Sequence, residues 1–325
     1  MIQDVGRLNF APNTPIPGGR TLSTANVELN PVELERSAEL DEKLKQDLYL
    51  AKPWMRPWYS PSAGKWPIFL HLIAMHTLAL IGLIFYTNPG LKVGLVTLFL
   101  TCMGGLGTTV VFHRALSHRT VKLNKFIEHT LIFFTMINGS GSPGSWVAFH
   151  RRHHIKSDTP EDVSSPTHGG FWWAHLRWLY QGQTAPMDVY CPELNKGMYK
   201  FWNKMETPIV ILGYLCGLPF GLKAFFWMGA IRMVYSLHGQ CLVNSLTHLG
   251  KYPDGDSSKN VWWLGPLQLF AWGENWHRNH HSQAGSARLG LAWYQIDIGW
   301  YFIFLCEKMK LAWDVKRPRK LVLDH

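Results

Sequence analysis

The residues of this chain best equipped to do chemistry are its clustered histidines. They read His113-Arg-Ala-Leu-Ser-His118, His150-Arg-Arg-His153-His154 and His277-Arg-Asn-His280-His281, with His248 alone in Asn244-Ser-Leu-Thr-His248. Neutral imidazole is the commonest metal-ligating side chain, and several together suit iron, zinc or copper. Positions i, i+3 and i+4 of a helix fall within an arc of roughly 100°. Each HxxHH box is therefore expected to aim three imidazoles at one point from one helix face. An i, i+5 pair stands about 140° apart on an ideal helix. The first box thus fits a helix that ends or unwinds, or two histidines that serve different metals. A single zinc ion takes about four ligands, so eight or nine imidazoles point to two metals.

The elements that position these boxes alternate between apolar blocks and basic stretches. The chain has 325 residues, a formal net charge of +10 and a pI of about 9.4. Its Lys and Arg residues are dispersed and form no recognition motif, which argues against nucleic-acid binding. They suit the cytoplasmic face of a membrane protein, with attraction to anionic lipid or an acidic partner. Five cysteines without a CxxC pair, several in apolar stretches, suggest buried reduced thiols. Sixteen tryptophans suit anchoring at the membrane interface.

Residues 1–65 form a polar N-terminal segment, with a charged helical pattern around Pro31 to Leu50. Residues 66–325 form the main domain. Apolar spans are expected at about 67–87, 91–112, 207–222 and 224–243, the third short and interrupted by Gly and Pro. The stretch from Phe126 to Ile137 is too short to span and reads as re-entrant or interfacial. Segments 113–206 and 244–325 hold nearly all the Lys, Arg and boxes, so both termini and every box are expected in the cytoplasm. His113 and His248 then sit at the cytoplasmic ends of two different spans, and a centre built from all the boxes lies just under the membrane face. Arg232, inside the fourth span, invites a functional reading, with local pairing to Tyr235 or His238 as the alternative. An aromatic helical pattern runs from about Leu291 to Trp313.

With these boxes in this order on this span pattern, the chain from roughly Trp66 to Pro318 resembles the membrane fatty-acyl desaturases, specifically the stearoyl-CoA (Δ9) branch and its bacterial acyl-lipid relatives. The resemblance implies an all-α integral membrane fold: four transmembrane helices and a cytosolic helical cap carrying a histidine-rich di-iron site. It implies that His113, His118, His150, His153, His154, His248, His277, His280 and His281 ligate two iron ions, with Asn244 reaching one through a water. Arg232 also falls where the family has an arginine and is expected, with Thr101 and Gly105, to belong to the substrate tunnel. By alignment with the family, Thr101 and Gly105 sit where bulkier residues can cap an acyl tunnel, so their small size suggests a deep tunnel or a different register. Two departures stand out. Arg278 replaces the usual Asn of the third box, where little effect on iron is expected. Ala148-Phe149 stands where animal acyl-CoA enzymes carry Arg-Asp against the CoA headgroup, which favours a lipid-bound or carrier-protein-bound acyl chain.

Removing hydrogen from an unactivated methylene needs an oxidant that no side chain supplies, so a metal must reduce O2 with electrons from a partner. No electron-transfer domain is visible, so an external ferredoxin or cytochrome b5 is expected, with acyl carrier protein a further candidate partner. The imidazole nitrogens that face away from the metal need acceptors. The candidates are Asp158, Glu161, Asp162, Glu274 and Asp297. A related lipid hydroxylase or acetylenase would carry the same boxes. A histidine-rich metal transporter fits less well, because transporters place ligands near the bilayer midplane. Loop sequences of bacterial type favour a plasma membrane over the endoplasmic reticulum.

Overall fold

The computed structural model describes residues 42–43, 46–253, 255–262 and 271–319. The chain divides into two units, Met1–Gln46 and Asp47–His325, and every histidine box lies in the second. Of the charged pattern before Leu50, residues 47–50 are helical, and most of the remainder lies outside the described residues. The second unit is predominantly helical.

Helix α1, Trp66–Phe85, starts at a proline in its first turn, where the missing N–H costs nothing. Helix α2 runs Gly90–Ser117. Both are long and apolar enough to cross a membrane. Their outer faces are open: Leu70, Leu80, Ile84, Phe85, Leu91 and Phe99 are all more than half exposed. Apolar surface on this scale requires lipid or protein against it. The short apolar stretch after the first box forms α3, Lys125–Ile137, capped by the Asn124 side chain, which accepts from the Phe126 N–H. One face of α3 is core, with Leu131, Ile132 and Met136 essentially inaccessible. It lies against α2 at Gly107, where a Cβ would stand 2.1 Å from Thr135 Oγ1 and 2.5 Å from the Leu131 carbonyl oxygen. Glycine alone permits that approach.

Helix α4, Pro143–Lys156, carries the second box and opens on a capping box formed by Ser142 and Ser145. Helix α5, Gly197–Lys204, precedes α6, Glu206–Leu215. The third apolar stretch is thus helical over fewer residues than the expected 207–222, and a 3-10 turn at Leu218–Phe220 follows it. The fourth begins at Leu222–Phe226 and passes through a π turn, Trp227–Ile231, into α7, Arg232–Thr247. It bends at Gly229 (φ −96°, ψ −108°), where a Cβ would lie 2.7 Å from the Tyr214 carbonyl oxygen. It continues past residue 243, so Asn244 is helical and His248 is the C-cap.

The third box lies on α8, His277–Ser282. The aromatic pattern at 291–313 is helical only over α9, Ile298–Lys308. Asp297 caps α9 at the Trp300 N–H and also accepts from the Leu289 N–H at 2.7 Å, while Gln295 Oε1 accepts from Leu291 and Ala292. Side chains satisfy the backbone that a longer helix would have satisfied itself. After α9, β2 (Ala312–Trp313) pairs antiparallel with β1 (Lys122–Leu123) and ties the chain beyond α9 to the segment after the first box. Ahead of α1, residues 54–62 are fastened to 177–181. Arg177 donates to the Trp54 and Arg56 carbonyls, Gln181 to those of Pro57 and Ser60, and Tyr180 to that of Trp58.

Arg232 takes neither of the local partners expected for it. It is buried, and donates to Asn138 Oδ1, to the carbonyls of Ile137 (2.8 Å) and Gly213 (3.1 Å), and to Met228 one turn back. One guanidinium thus ties α3, α6 and α7 together. Arg232→Met should strand these acceptors and destabilise the protein by on the order of 3 kcal/mol. Arg119→Met, which removes an exposed ion pair to Glu193, should leave the melting temperature in detergent unchanged. Equal melting temperatures for the two variants would contradict the clamp.

Candidate metal centre

The first box is brought into line by a change of helix type. From Thr108 to Ser117 α2 is π-helical, and the His118 N–H donates to the His113 carbonyl five residues back at 3.1 Å. The wider turn places positions i and i+5 on the same face. His113 and His118 accordingly lie with ring centroids 4.9 Å apart and face the same centre.

The nine boxed histidines sort into two groups. His113, His118, His150, His154 and His280 form one; His153, His248, His277 and His281 form the other. Within each group, one nitrogen per ring lies within 4.8 Å of all the others. The expectation that each HxxHH box aims at a single point is therefore corrected. In α4, His150 and His154 face the first group and His153 the second. In α8, His277 and His281 face the second group and His280 the first. The i, i+4 pair lies within about 40° on a helix, while i+3 stands about 60° to its other side. That offset lets one box serve two neighbouring positions.

The facing atoms are Nε2. The His113–His280 separation is 3.1 Å, His118–His150 2.8 Å, His154–His280 2.9 Å and His248–His277 2.9 Å. Nδ1 points outward where a partner waits. His113 Nδ1 lies 2.7 Å from Glu274 Oε2, and His153 Nδ1 lies 2.9 Å from Asp162 Oδ2. His248 Nδ1 donates to Ser257 Oγ (3.1 Å), which itself donates to Asp158 Oδ1 (2.6 Å). Each carboxylate fixes the tautomer that leaves a lone pair on Nε2. Of the five carboxylates expected to serve, Asp158, Asp162 and Glu274 do so. Glu161 pairs with Lys156 and Asp297 with Arg114. Sequence reading missed Asp256, whose Oδ1 is 3.8 Å from His281 Nδ1 and whose Oδ2 accepts from Arg278 at 2.7 Å. It also missed Ser257, and Thr109, which donates to Glu274.

The arginines inside the boxes act as clamps. Arg114, fully buried, donates to Asp297 at 2.8 Å and to the carbonyls of Ala287 and Trp272, joining the first box to the chain around the third. Arg151 donates to the Leu116 and Ser117 carbonyls, fastening the second box to the first. The adjacency of Arg to His in the boxes was the available signal.

Electrostatics keeps most of the boxed imidazoles neutral. Burial, reinforced by neighbouring rings, holds His118, His150, His154, His248, His277 and His280 well below the usual histidine value and His281 at about 4. Burial would lower His153 as well, but Asp162 more than offsets it and its value is raised. Burial opposes ionisation of Glu274 too, yet His113 and Arg114 hold it below the ordinary carboxylate range. The donor set fits a metal. Nε2 of His153 and of His281 are buried without a hydrogen-bond partner among the described residues, each in a group of converging imidazoles. Lone pairs facing one another across 3 Å repel unless a cation or protons lie between them.

Asn244 lies half-buried one turn before His248, and its side chain makes no hydrogen bond to another described residue. Thr101 and Gly105 line a cavity of about 70 Å³ between α2 and α7, with Trp272, Thr109 and Glu274 also in its lining; Arg232 is not among its lining residues. His76, His175 and His238 stay outside the two groups. His76, His238 and His175 form a hydrogen-bonded row (3.1 and 2.8 Å) ending on Ser245.

Two measurements probe this centre. Glu274→Gln should weaken metal retention by the 10–100-fold typical of such partners, read as metal content after graded chelator, whereas Glu161→Gln should leave it unchanged. Metal-free protein should lose stability as pH falls from above 6.5 towards 4. Six imidazoles and His281 are depressed in the folded state, so the unfolded chain binds more protons in that window, each worth up to about 1.4 kcal/mol per pH unit. His153 alone contributes with the opposite sign. Melting temperatures of chelator-treated protein that rise from pH 7.5 to pH 5 would contradict burial of neutral rings.

Comparison with known proteins places this geometry. A fatty acid desaturase family model matches residues 89–301. Delta-9 acyl-lipid desaturase 2 of Arabidopsis thaliana is 35% identical over 290 residues, covering 86% of this chain and 90% of the relative. The sn-1 stearoyl-lipid 9-desaturase of Anabaena variabilis is 35% identical over 264 residues, 78% of this chain and 95% of its own. The chloroplastic palmitoyl-monogalactosyldiacylglycerol delta-7 desaturase of Arabidopsis thaliana is 34% identical over 278 residues, 82% and 71% of the two chains. With the family match spanning more than half its length and relatives of this similarity, the chain belongs to the fatty acid desaturases, oxidoreductases of lipid metabolism.

Proposed function

We propose that this enzyme introduces a cis double bond into a saturated acyl chain carried on a membrane lipid, Δ9 in position, using O2 and an external electron donor. The observation that carries the proposal is the pairing of two converging imidazole groups with a narrow cavity beneath them, lined by the same helices that present His113 and His248. In this reading α1 and α2 cross the membrane together with α6 and the bent helix leading into α7. Residues 1–65, 113–206 and 244–325 lie on the cytoplasmic side, in a bacterial plasma membrane.

The nine boxed histidines would hold two iron ions, with the group of five imidazoles at one and the group of four at the other, and Asn244 would act at the second through a water. When bound, such a pair would supply the oxidising power to take one hydrogen from each of two adjacent methylenes, with O2, two electrons and two protons consumed and two waters formed. The protein's share is position and exclusion. Glu274, Asp162 and Asp158 (through Ser257) hold His113, His153 and His248 with Nε2 inward. Burial keeps most of the rings unprotonated, and the cavity presents one segment of the chain to the centre.

Support for a lipid carrier comes from the pair ahead of the second box. Ala148 is fully buried, and Phe149 packs edge-on against Trp178 (5.5 Å) beneath Lys65 Nζ (5.6 Å). This apolar packing stands where a charged pair would meet a CoA headgroup. Relatives named for acyl-lipid and stearoyl-lipid desaturation point the same way. The basic surface suits an acidic donor of ferredoxin or cytochrome b5 type, reached by an electron path through the cap.

Expression with a ferredoxin in a desaturase-deficient host should yield a new cis-unsaturated acyl lipid, located by mass spectrometry. It should vanish in the His280→Ala, His281→Ala double variant, with purified wild-type protein holding two irons. A hydroxylated or alkynyl product would overturn desaturation while keeping the metal centre, and tight CoA-dependent binding of stearoyl-CoA would overturn the lipid carrier.

A further inference from the structure

The cavity between α2 and α7 is shaped by one contact that small residues on α2 do not foretell. Gly105 leaves room for a side chain, and that room is already taken. A Cβ on Gly105 would lie 2.2 Å from Nε1 of Trp272 and 2.8 Å from its Cε2. The indole, brought in from the chain just before the third box, lies in the gap and lines the cavity together with Thr101, Gly105, Gly239 and Val243.

Trp272 is held there by its backbone. Its φ is +59°, a left-handed conformation that bulky residues rarely adopt. Its carbonyl accepts from Arg114 Nη2 (3.2 Å) and from the Gly299 N–H (3.0 Å). The next residue, Gly273, has φ +101°, and a Cβ there would meet Asp297 Oδ1 at 2.3 Å. A strained backbone pinned from two sides, with its ring in a cavity, is the kind of outlier that points to function. The cavity runs along α2 from Thr101 to Thr109, about 12 Å at 1.5 Å per residue. It ends at Thr109 and Glu274, next to His113.

We propose that Trp272 is the wall that sets how much acyl chain fits beyond the metal centre, and that Gly105 is glycine to admit the indole rather than to deepen the tunnel. The proposal rests on the desaturase reading and adds its specificity determinant. With the headgroup end outside the cavity, the methyl end meets the indole. Removing the ring extends the space available to the chain, and a large residue at position 105 can replace the ring only if the ring is gone.

The test is a size exchange. Trp272→Ala should raise the ratio of C20 to C16 unsaturated product, chains that differ by four methylenes, at least about tenfold, the low end of what a single methylene carries in an apolar pocket. Gly105→Leu alone should lower both melting temperature and activity. Gly105→Leu with Trp272→Ala should recover both and return the chain-length ratio towards wild type. Thermal stabilisation of each purified variant by C16 and C20 saturated phosphatidylglycerol gives the same reading without turnover. It applies to Trp272→Phe if the alanine variant does not fold. A C20-to-C16 preference within twofold of wild type in Trp272→Ala, or failure of Trp272→Ala to rescue Gly105→Leu, would overturn the proposal. If wild-type protein makes no unsaturated product while the lipid-stabilisation series still follows position 272, the desaturase reading fails and the wall stands.

Discussion

The structure turns on nine imidazoles drawn into two groups, most of them held neutral, with ring nitrogens facing one another at close range. In isolation such an arrangement is repulsive, and burial opposes relieving it by protonation. It is tenable because the outward nitrogens of His113, His153 and His248 meet Glu274, Asp162 and the Ser257–Asp158 pair, and because a metal ion suits the inward ones. Glu274 in turn sits between the His113 ring and the buried Arg114 guanidinium. Much of the polar network around the two groups reduces to holding rings in one tautomer and one orientation.

That demand explains where the helices are irregular. The ten-residue π segment of α2 carries the first box, and the bend at Gly229 precedes the helix that delivers His248. Trp272 and Gly273 adopt left-handed backbone immediately before Glu274. Regular α-helices would place His113 and His118 on different faces. Irregular backbone within apolar surroundings costs free energy, offset here by side chains that take over the hydrogen bonding. Arg232 serves the carbonyls of Ile137 and Gly213, and Arg114 those of Trp272 and Ala287. Both arginines are fully buried, and in each case the fork of donors reaches several acceptors at once.

Relatives at similar identity are named for Δ9 and for Δ7 positions. Regiochemistry is therefore decided by something finer than family membership. The metal groups offer no ruler along the substrate. In the proposed reading the cavity beside Gly105 and Trp272 does, because an apolar chain in a channel stops where the channel stops.

The sequence alone established the metal-binding character of the chain, the nine histidines, the apolar blocks and the family. All of these depend on residue type and short-range spacing. It also put Asp158, Asp162 and Glu274 on a short list of imidazole partners, though it could not separate them from Glu161 and Asp297. Which ring serves which group was not legible. The i, i+3, i+4 spacing is compatible with one target or two, and the choice depends on where a second helix stands. The role of Arg232 followed from carbonyls on α3 and α6, far away in the chain. Gly105 read as an empty space because its neighbour Trp272 is 167 positions downstream. Volume inside a protein is shared between elements that meet only on folding, so the size of a pocket belongs to the tertiary structure even when each residue lining it is known.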